Sequence, residues 1–135
     1  MNKYFDLSGQ VAVVTGASTG LGLQMAKAFA SQGANLVLLA RREQRLRENA
    51  EALTKEFGVE VMALKCDITH TDEVKGAVEA VLKRFGRVDI LVNNAAYFGG
   101  MGAWRPFDEW ETDEWDRMQD VNLRGTWFMA RAVFP

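Results

Sequence analysis

Four times along the chain a glycine precedes a short aliphatic run and then an amphipathic stripe, and that alternation limits the fold more than any other feature. The glycines are Gly9, Gly33, Gly58 and Gly86, at intervals that suit one strand, one loop and one helix each. The strand runs are Val11 to Thr15, Leu36 to Leu39, Val59 to Leu64 and Asp89 to Val92. Three of the four are apolar on successive residues, the pattern of strands covered on both faces in a parallel sheet. Between them the period becomes helical. Val74, Ala77, Val78, Val81, Leu82 and Phe85 make one stripe, and Leu46, Ala50, Leu53 and Phe57 another. Gly33, Gly58 and Gly86 stand where a helix ends and the chain reverses. Thr69 with Asp72 reads as a cap for the third helix. Ala95 to Pro106 has no period and reads as a mobile loop over a strand end. A last helix is expected from about Asp113 to Val133, with Trp115, Met118, Asn122, Gly125 and Met129 on its stripe. Short connections between alternating strands and helices imply right-handed crossovers and a doubly wound α/β sheet.

Composition narrows the partners. Sixteen basic residues stand against 18 acidic ones, a net charge of -2, which creates no field to gather nucleic acid or anionic lipid. One cysteine, Cys66, and one histidine, His70, furnish neither an internal disulfide nor a four-ligand Cys/His zinc site. The polar stretch Met1 to Gln10 has no apolar core of a signal peptide, and no run approaches the roughly 18 apolar residues of a membrane span. A cytoplasmic protein is the expectation. A chain of 135 residues has the length of one domain with a real core.

The strongest local signal is a strand running directly into Gly16, Gly20 and Gly22 and then into a helix. The first glycine permits a tight turn, the second lets backbone approach a phosphate, and the third lets helix and strand pack closely. A pyrophosphate would rest on the free N–H groups and positive dipole of the helix starting near Gly20. The spacing is not the commonest dinucleotide fingerprint, and no Gly-Lys-Ser/Thr follows, which excludes a P-loop. The competing reading is that three glycines simply make a turn.

Thr15 to Gly22 (TGASTGLG), Asp67 in CDIT, Asn93-Asn94-Ala95-Ala96 and Asn122 in VNL, in this order and spacing, resemble the short-chain dehydrogenase/reductase family. The resemblance implies a Rossmann-type sheet in the order 3-2-1-4 and a hydride transfer between NADP(H) and a secondary alcohol or ketone. It implies that Gly16, Ser18, Thr19, Gly20, Leu21 and Gly22 surround the pyrophosphate. By the same resemblance Asp67 binds the adenine amino group and Ile68 packs on the ring, with an ordinary cap or loop role for Asp67 as the alternative. Asn93 and Asn94 would tie neighbouring strand ends together, with Asn94, Ala95 and Ala96 along the nicotinamide side. Ala96 stands where the family usually has glycine.

The second strand ends in Ala40, Arg41 and Arg42, where an acidic residue would have indicated NAD. Two guanidiniums are the wrong sign for a helix N-terminus, whereas a 2′-phosphate between them suits their forked geometry. NADP is the expected cofactor, and NAD stays possible. The alternative is that both arginines are solvated and paired with Glu43 or later acids of the helix. Thr19 occupies the place where NADP-preferring members often carry a basic residue.

Asn122 interrupts an apolar stripe, where an unpaired buried amide would cost on the order of 1–3 kcal/mol. In the family the matching asparagine distorts this helix and holds a water in a proton relay; a purely structural hydrogen bond is the alternative. It is the one member of the family's catalytic set present. The general acid/base of a Tyr-x-x-x-Lys pair is absent, because Tyr4 and Tyr97 are followed four residues on by Ser8 and Met101. The expectation is therefore an N-terminal cofactor-binding portion, residues 1–135, of a longer single-domain enzyme, and a chain inactive as it stands. In full-length form, homo-oligomers, a dinucleotide and a small alcohol or ketone are the implied partners. The rival is a non-catalytic nucleotide-binding or interaction module, for which the apolar Ile90, Leu91 and Val92 edge is an obstacle. His70, among Thr69, Thr71 and Asp72 at a helix start, suits no Ser-His-Asp triad. The acids from Asp108 to Asp116 read as a favourable helix N-terminus rather than a glycosidase pair, and Trp110 and Trp115 as core or interface.

Overall fold

A computed structural model describes residues 3–99 and 104–135 of the chain. The strands are β1 (Val11–Thr15), β2 (Asn35–Ala40), β3 (Val61–Lys65) and β4 (Ile90–Val92). The helices are α1 (Gly20–Ser31), α2 (Glu43–Phe57), α3 (Thr71–Phe85), α4 (Thr112–Gln119) and α5 (Thr126–Val133). All pairings are parallel and the order is β3-β2-β1-β4, as expected. The continuous apolar runs have the predicted cause. Ala12, Val14, Leu36 and Leu38 face one core layer with Ala26 and Ala30 of α1 and Leu46, Ala50 and Leu53 of α2. Their neighbours Val11, Val13, Val37 and Leu39 face the opposite layer with Val74, Ala77 and Val81 of α3 and Met129 of α5. Two-sided burial is complete in β1 and partial in the outer strands β3 and β4.

Several boundaries move for local reasons. Val59 and Glu60 precede β3: Val59 is buried in the first core layer, while the Glu60 N–H donates to Asn35 Oδ1 at 3.0 Å. Asp89 brackets the sheet rather than extending β4. Its Oδ2 accepts the Val11 N–H at 2.8 Å and its carboxylate pairs with Arg87. Gly58 and Gly86 end α2 and α3 in left-handed conformation, and Gly33 follows α1 one residue past its cap, Gln32. The residue before α3 is His70, and the Thr69 hydroxyl donates instead to Asp67 Oδ1 at 2.7 Å, so the expected Thr69–Asp72 cap is not formed.

The single helix expected from Asp113 to Val133 is interrupted. A π-helical stretch at Asp120–Gly125 separates α4 from α5, an inserted wide turn of the kind that recurs at functional sites. Glu111 precedes α4 and exchanges hydrogen bonds with Glu114, so the acidic run does start a helix. Part of the expected loop, residues 100–103, lies outside the described residues, as do residues 1–2 of the polar N-terminus. Among the described residues no helix is long and apolar enough to cross a membrane, and no group of His, Cys, Asp or Glu could hold a metal ion.

Candidate functional site

Because every strand of the sheet is parallel, all four C-terminal ends and the loops that leave them lie along one edge, the place where open α/β sheets bind ligands. A cleft of about 1000 Å³ opens there. The loop after β1 contributes Gly16, Ser18 and Thr19 together with Leu21 of α1, and the end of β2 contributes Leu39, Ala40, Arg41 and Arg42. Cys66 to Thr69 follow β3, and Asn94 to Phe98 follow β4. All the expected cofactor residues line this cleft except Gly20 and Gly22; Gly22 packs against the Gly16 carbonyl, and Gly20 is exposed.

Gly22 is where helix and strand meet. A Cβ there would fall 2.3 Å from the Gly16 carbonyl oxygen and 2.6 Å from Asn94 Nδ2, so no side chain fits. Gly16, at φ +64°, faces Ala95 Cα and Asn94 Nδ2, each 3.0 Å from the place a Cβ would take. At Gly20 a Cβ would meet nothing within 4 Å. Thr19, the residue before α1, supplies no side-chain cap, so the first N–H groups of α1 are open to a ligand. A loop of this kind, with no side chain of its own at Gly16, Gly20 and Gly22 and with open N–H groups at the start of α1, fits a pyrophosphate.

Asn94 does what the sequence suggested for the pair: its Nδ2 donates to Thr15 O and Gly16 O, both at 3.2 Å. Asn93 is exposed and makes no side-chain hydrogen bond among the described residues. Thr15, to which the sequence pattern assigned no role beyond its strand, carries the other half of the link. Its buried hydroxyl accepts the N–H groups of Asn94 and Ala95 at 3.0 Å each and donates to Val92 O at 3.3 Å. Thr15→Val keeps the shape but leaves two interior N–H groups unpaired, so a loss of about 2 kcal/mol is expected in urea denaturation. Thr15→Ser should lose less than about half of that.

Arg41 and Arg42 are exposed at the mouth of the cleft. Neither forms an ion pair or side-chain hydrogen bond among the described residues, and Glu43 is taken by Arg47 at 2.8 Å. The pairing that would have accounted for the arginines without a ligand is therefore not made. Across from them, Asp67 is half-buried. Burial works against its charge, but the Thr69 hydroxyl and N–H, with His70 and Arg41 beyond, hold its carboxyl below the usual carboxylate range. Glu73 completes the corner: its Oε1 accepts the Asp67 N–H at 3.3 Å and its Oε2 bonds His70 Nδ1. That bond to Glu73, reinforced by Asp67, raises the His70 pKa above its ordinary value. Ile68 is buried against Gly125, whose Cβ would meet its side chain at 2.7 Å. Gly125 thus seats Ile68 at the cleft wall, a role not visible in its place on a stripe.

Cys66 also lines the cleft, yet it suits no nucleophile. Burial, then the carboxylates of Glu73 and Asp67, push its thiol up to about 11. Iodoacetamide at pH 8 is expected to leave it unmodified in the folded chain and to alkylate it in denaturant, read by intact mass.

The structure corrects the expectation for Asn122. It is exposed rather than buried and does not line the cleft. Both ends of its amide are engaged, with Oδ1 accepting the Tyr97 N–H at 2.7 Å and Nδ2 donating to Tyr97 O at 2.8 Å. The π-helical stretch brings it within reach of the segment after β4. Arg117 of α4 lies over the Tyr97 ring at 4.4 Å, so Tyr97 is held from both sides. Asp113 and Asp116 of α4 and Asp120 just past its end form the rim beside it, a placement that a favourable helix start did not foretell for the first two.

The strand order, the glycine loop and the amide link between β1 and β4 meet in a family whose model, short chain dehydrogenase, matches residues 10–135. This chain belongs to the short-chain dehydrogenase family. Within that family it is 38% identical over 132 residues to D-threitol dehydrogenase of Mycolicibacterium smegmatis, covering 96% of this chain and 48% of the relative. L-sorbose reductase from Gluconobacter frateurii, solved with NADPH and L-sorbose, superposes with a TM-score of 0.86 at 38% identity, over 96% of this chain and 48% of that one. An NAD+-bound xylitol dehydrogenase superposes at 0.87 with 32% identity, over 94% and 47%. The chain spans about half the length of the curated relatives it matches.

Proposed function

We propose that these residues are the cofactor-binding portion of an NADP(H)-preferring oxidoreductase that interconverts a secondary alcohol and a ketone. The observation that carries the reading is the pair of exposed guanidiniums of Arg41 and Arg42, without ion pairs among the described residues, at the mouth of the same cleft as the glycine loop. Facing a 2′-phosphate, they gain the partners that the chain itself does not provide. Gly16 and Gly22 keep side chains out of the way while the backbone of Ser18, Thr19 and the start of α1 holds the pyrophosphate. Asp67 accepts from the adenine amino group, with Ile68 against the ring. Asn94, Ala95 and Ala96 support the nicotinamide end. The bound nicotinamide supplies or accepts the hydride.

The relatives named above support a polyol or ketose as the substrate class. These residues hold the cofactor without turning it over, because no tyrosine stands four residues before a lysine to move the proton at the reacting oxygen. Asn122, engaged with Tyr97, holds the segment after β4 and would take its part in the relay through that position. Exposed Trp115, Leu123, Trp127 and Phe134 along and just beyond α4 and α5 support self-association.

The test is NADPH fluorescence on adding the chain. A saturable change is expected, which adenosine 2′-monophosphate reverses and adenosine 5′-monophosphate reverses only at far higher concentration, with no NADPH oxidation when L-sorbose is added. Equal displacement by the two nucleotides would contradict the proposal.

A further inference from the structure

We infer that Asn49 is the positioning residue that aims the glycine loop's N–H groups into the cleft. The inference rests on the cofactor reading above. Asn49 lies on α2 beside buried Ala50, and its side chain reaches across to the loop that follows β1. Its Nδ2 donates to Ala17 O at 3.2 Å and to Ser18 O at 2.9 Å. Only the NH2 end of an amide can satisfy two carbonyls, one with each hydrogen, so these partners fix which way the amide points.

The consequence follows from the peptide unit. The chain has no cis peptide bond among the described residues, and a trans unit holds its C=O and the next residue's N–H on opposite sides. Each carbonyl drawn toward α2 therefore turns an N–H away from it. Those are the N–H groups of Ser18 and Thr19. Both residues line the cleft, and neither N–H has a hydrogen-bond partner among the described residues. Ala17 is wholly buried and Ser18 nearly so, which makes an unsatisfied carbonyl there costly. Without Asn49, the carbonyls regain partners by rotating toward solvent in the cleft, and oxygen rather than N–H then meets an incoming phosphate. The start of α2 directly follows Arg41 and Arg42, so this one helix serves both anion sites: its first turn adjoins the 2′-phosphate end, and Asn49 sets the polarity of the pyrophosphate end.

The experiment compares Asn49→Ala with the unaltered chain by calorimetric titration of NADPH, NADH and adenosine 2′-monophosphate. NADPH and NADH should each weaken roughly tenfold, the size expected for losing about one well-aimed hydrogen bond. Adenosine 2′-monophosphate, which lacks the pyrophosphate, should bind within twofold of the unaltered chain. A parallel loss of all three ligands would mean that Asn49 merely supports α2, and would overturn the inference, as would unchanged NADPH affinity. If the unaltered chain binds neither NADPH nor adenosine 2′-monophosphate, the cofactor reading itself fails and takes the inference with it. A second measurement needs no variant. Amide resonances of Ser18 and Thr19 in the unaltered chain should move more than those of α3 when inorganic pyrophosphate is titrated, and stationary resonances would overturn the assignment.

Discussion

Gly22→Ala should destabilise the chain by about 3 kcal/mol, the upper part of the range for an added methyl that a packed interior cannot absorb. The methyl would lie 2.3 Å from the Gly16 carbonyl oxygen and 2.9 Å from its carbon, both backbone atoms. It would also lie 2.6 Å from Asn94 Nδ2, which is itself committed to Thr15 O and Gly16 O. Gly16 cannot retreat, because Ala95 packs behind it. Relief therefore requires α1 to lift from β1 and from Asn94, which follows β4. The control is Gly76→Ala. Gly76 lies exposed within α3, and a Cβ there meets nothing within 4 Å, so the same substitution should stabilise by roughly 0.5–1 kcal/mol through helix propensity alone. Urea midpoints with unchanged slopes check both signs. A Gly22→Ala chain within about 0.5 kcal/mol of the unaltered one would mean that α1 does not press on the amide link as closely as described.

Substituting Arg41 and Arg42 together by alanine should weaken NADPH about a hundredfold and leave NADH within a factor of two. Each charge-assisted hydrogen bond to phosphate contributes about 1.5 kcal/mol or more, and two such bonds give that factor. Stability should not fall, since neither side chain has an ion pair or hydrogen bond to lose among the described residues and both are exposed. Removing two positive charges from the start of α2 should even help by a few tenths of a kcal/mol. Parallel loss of NADH affinity would show that the arginines support the cleft generally rather than reading the 2′-phosphate.

What was legible in the sequence depended on whether a local pattern had a single physical cause. Val11 to Thr15 and the stripes of α2 and α3 are apolar because both faces of the sheet are covered, and that cause leaves a readable period. The glycine loop was legible because three glycines between a strand and a helix serve few purposes besides close backbone approach. Thr15 and Asn49 were not, since a hydroxyl at a strand end and an amide on a helix have many uses, and their partners lie 77–80 and 31–32 residues away. The break at Asp120–Gly125 was hidden for a different reason. Met118, Asn122, Gly125 and Met129 keep a helical spacing on paper, but seating Ile68 on Gly125 and clamping Tyr97 with Asn122 require an inserted turn. Local periodicity cannot anticipate contacts that form only once α5 packs on α3.

The most direct measurement is a calorimetric titration of the unaltered chain with NADPH and, in parallel, with NADH, alongside a light-scattering mass. Saturable NADPH binding is expected, preferred over NADH by at least about tenfold, roughly 1.4 kcal/mol. Absence of binding by a folded, monodisperse chain, or equal affinity for the two, would contradict the assignment of this cleft to NADP(H).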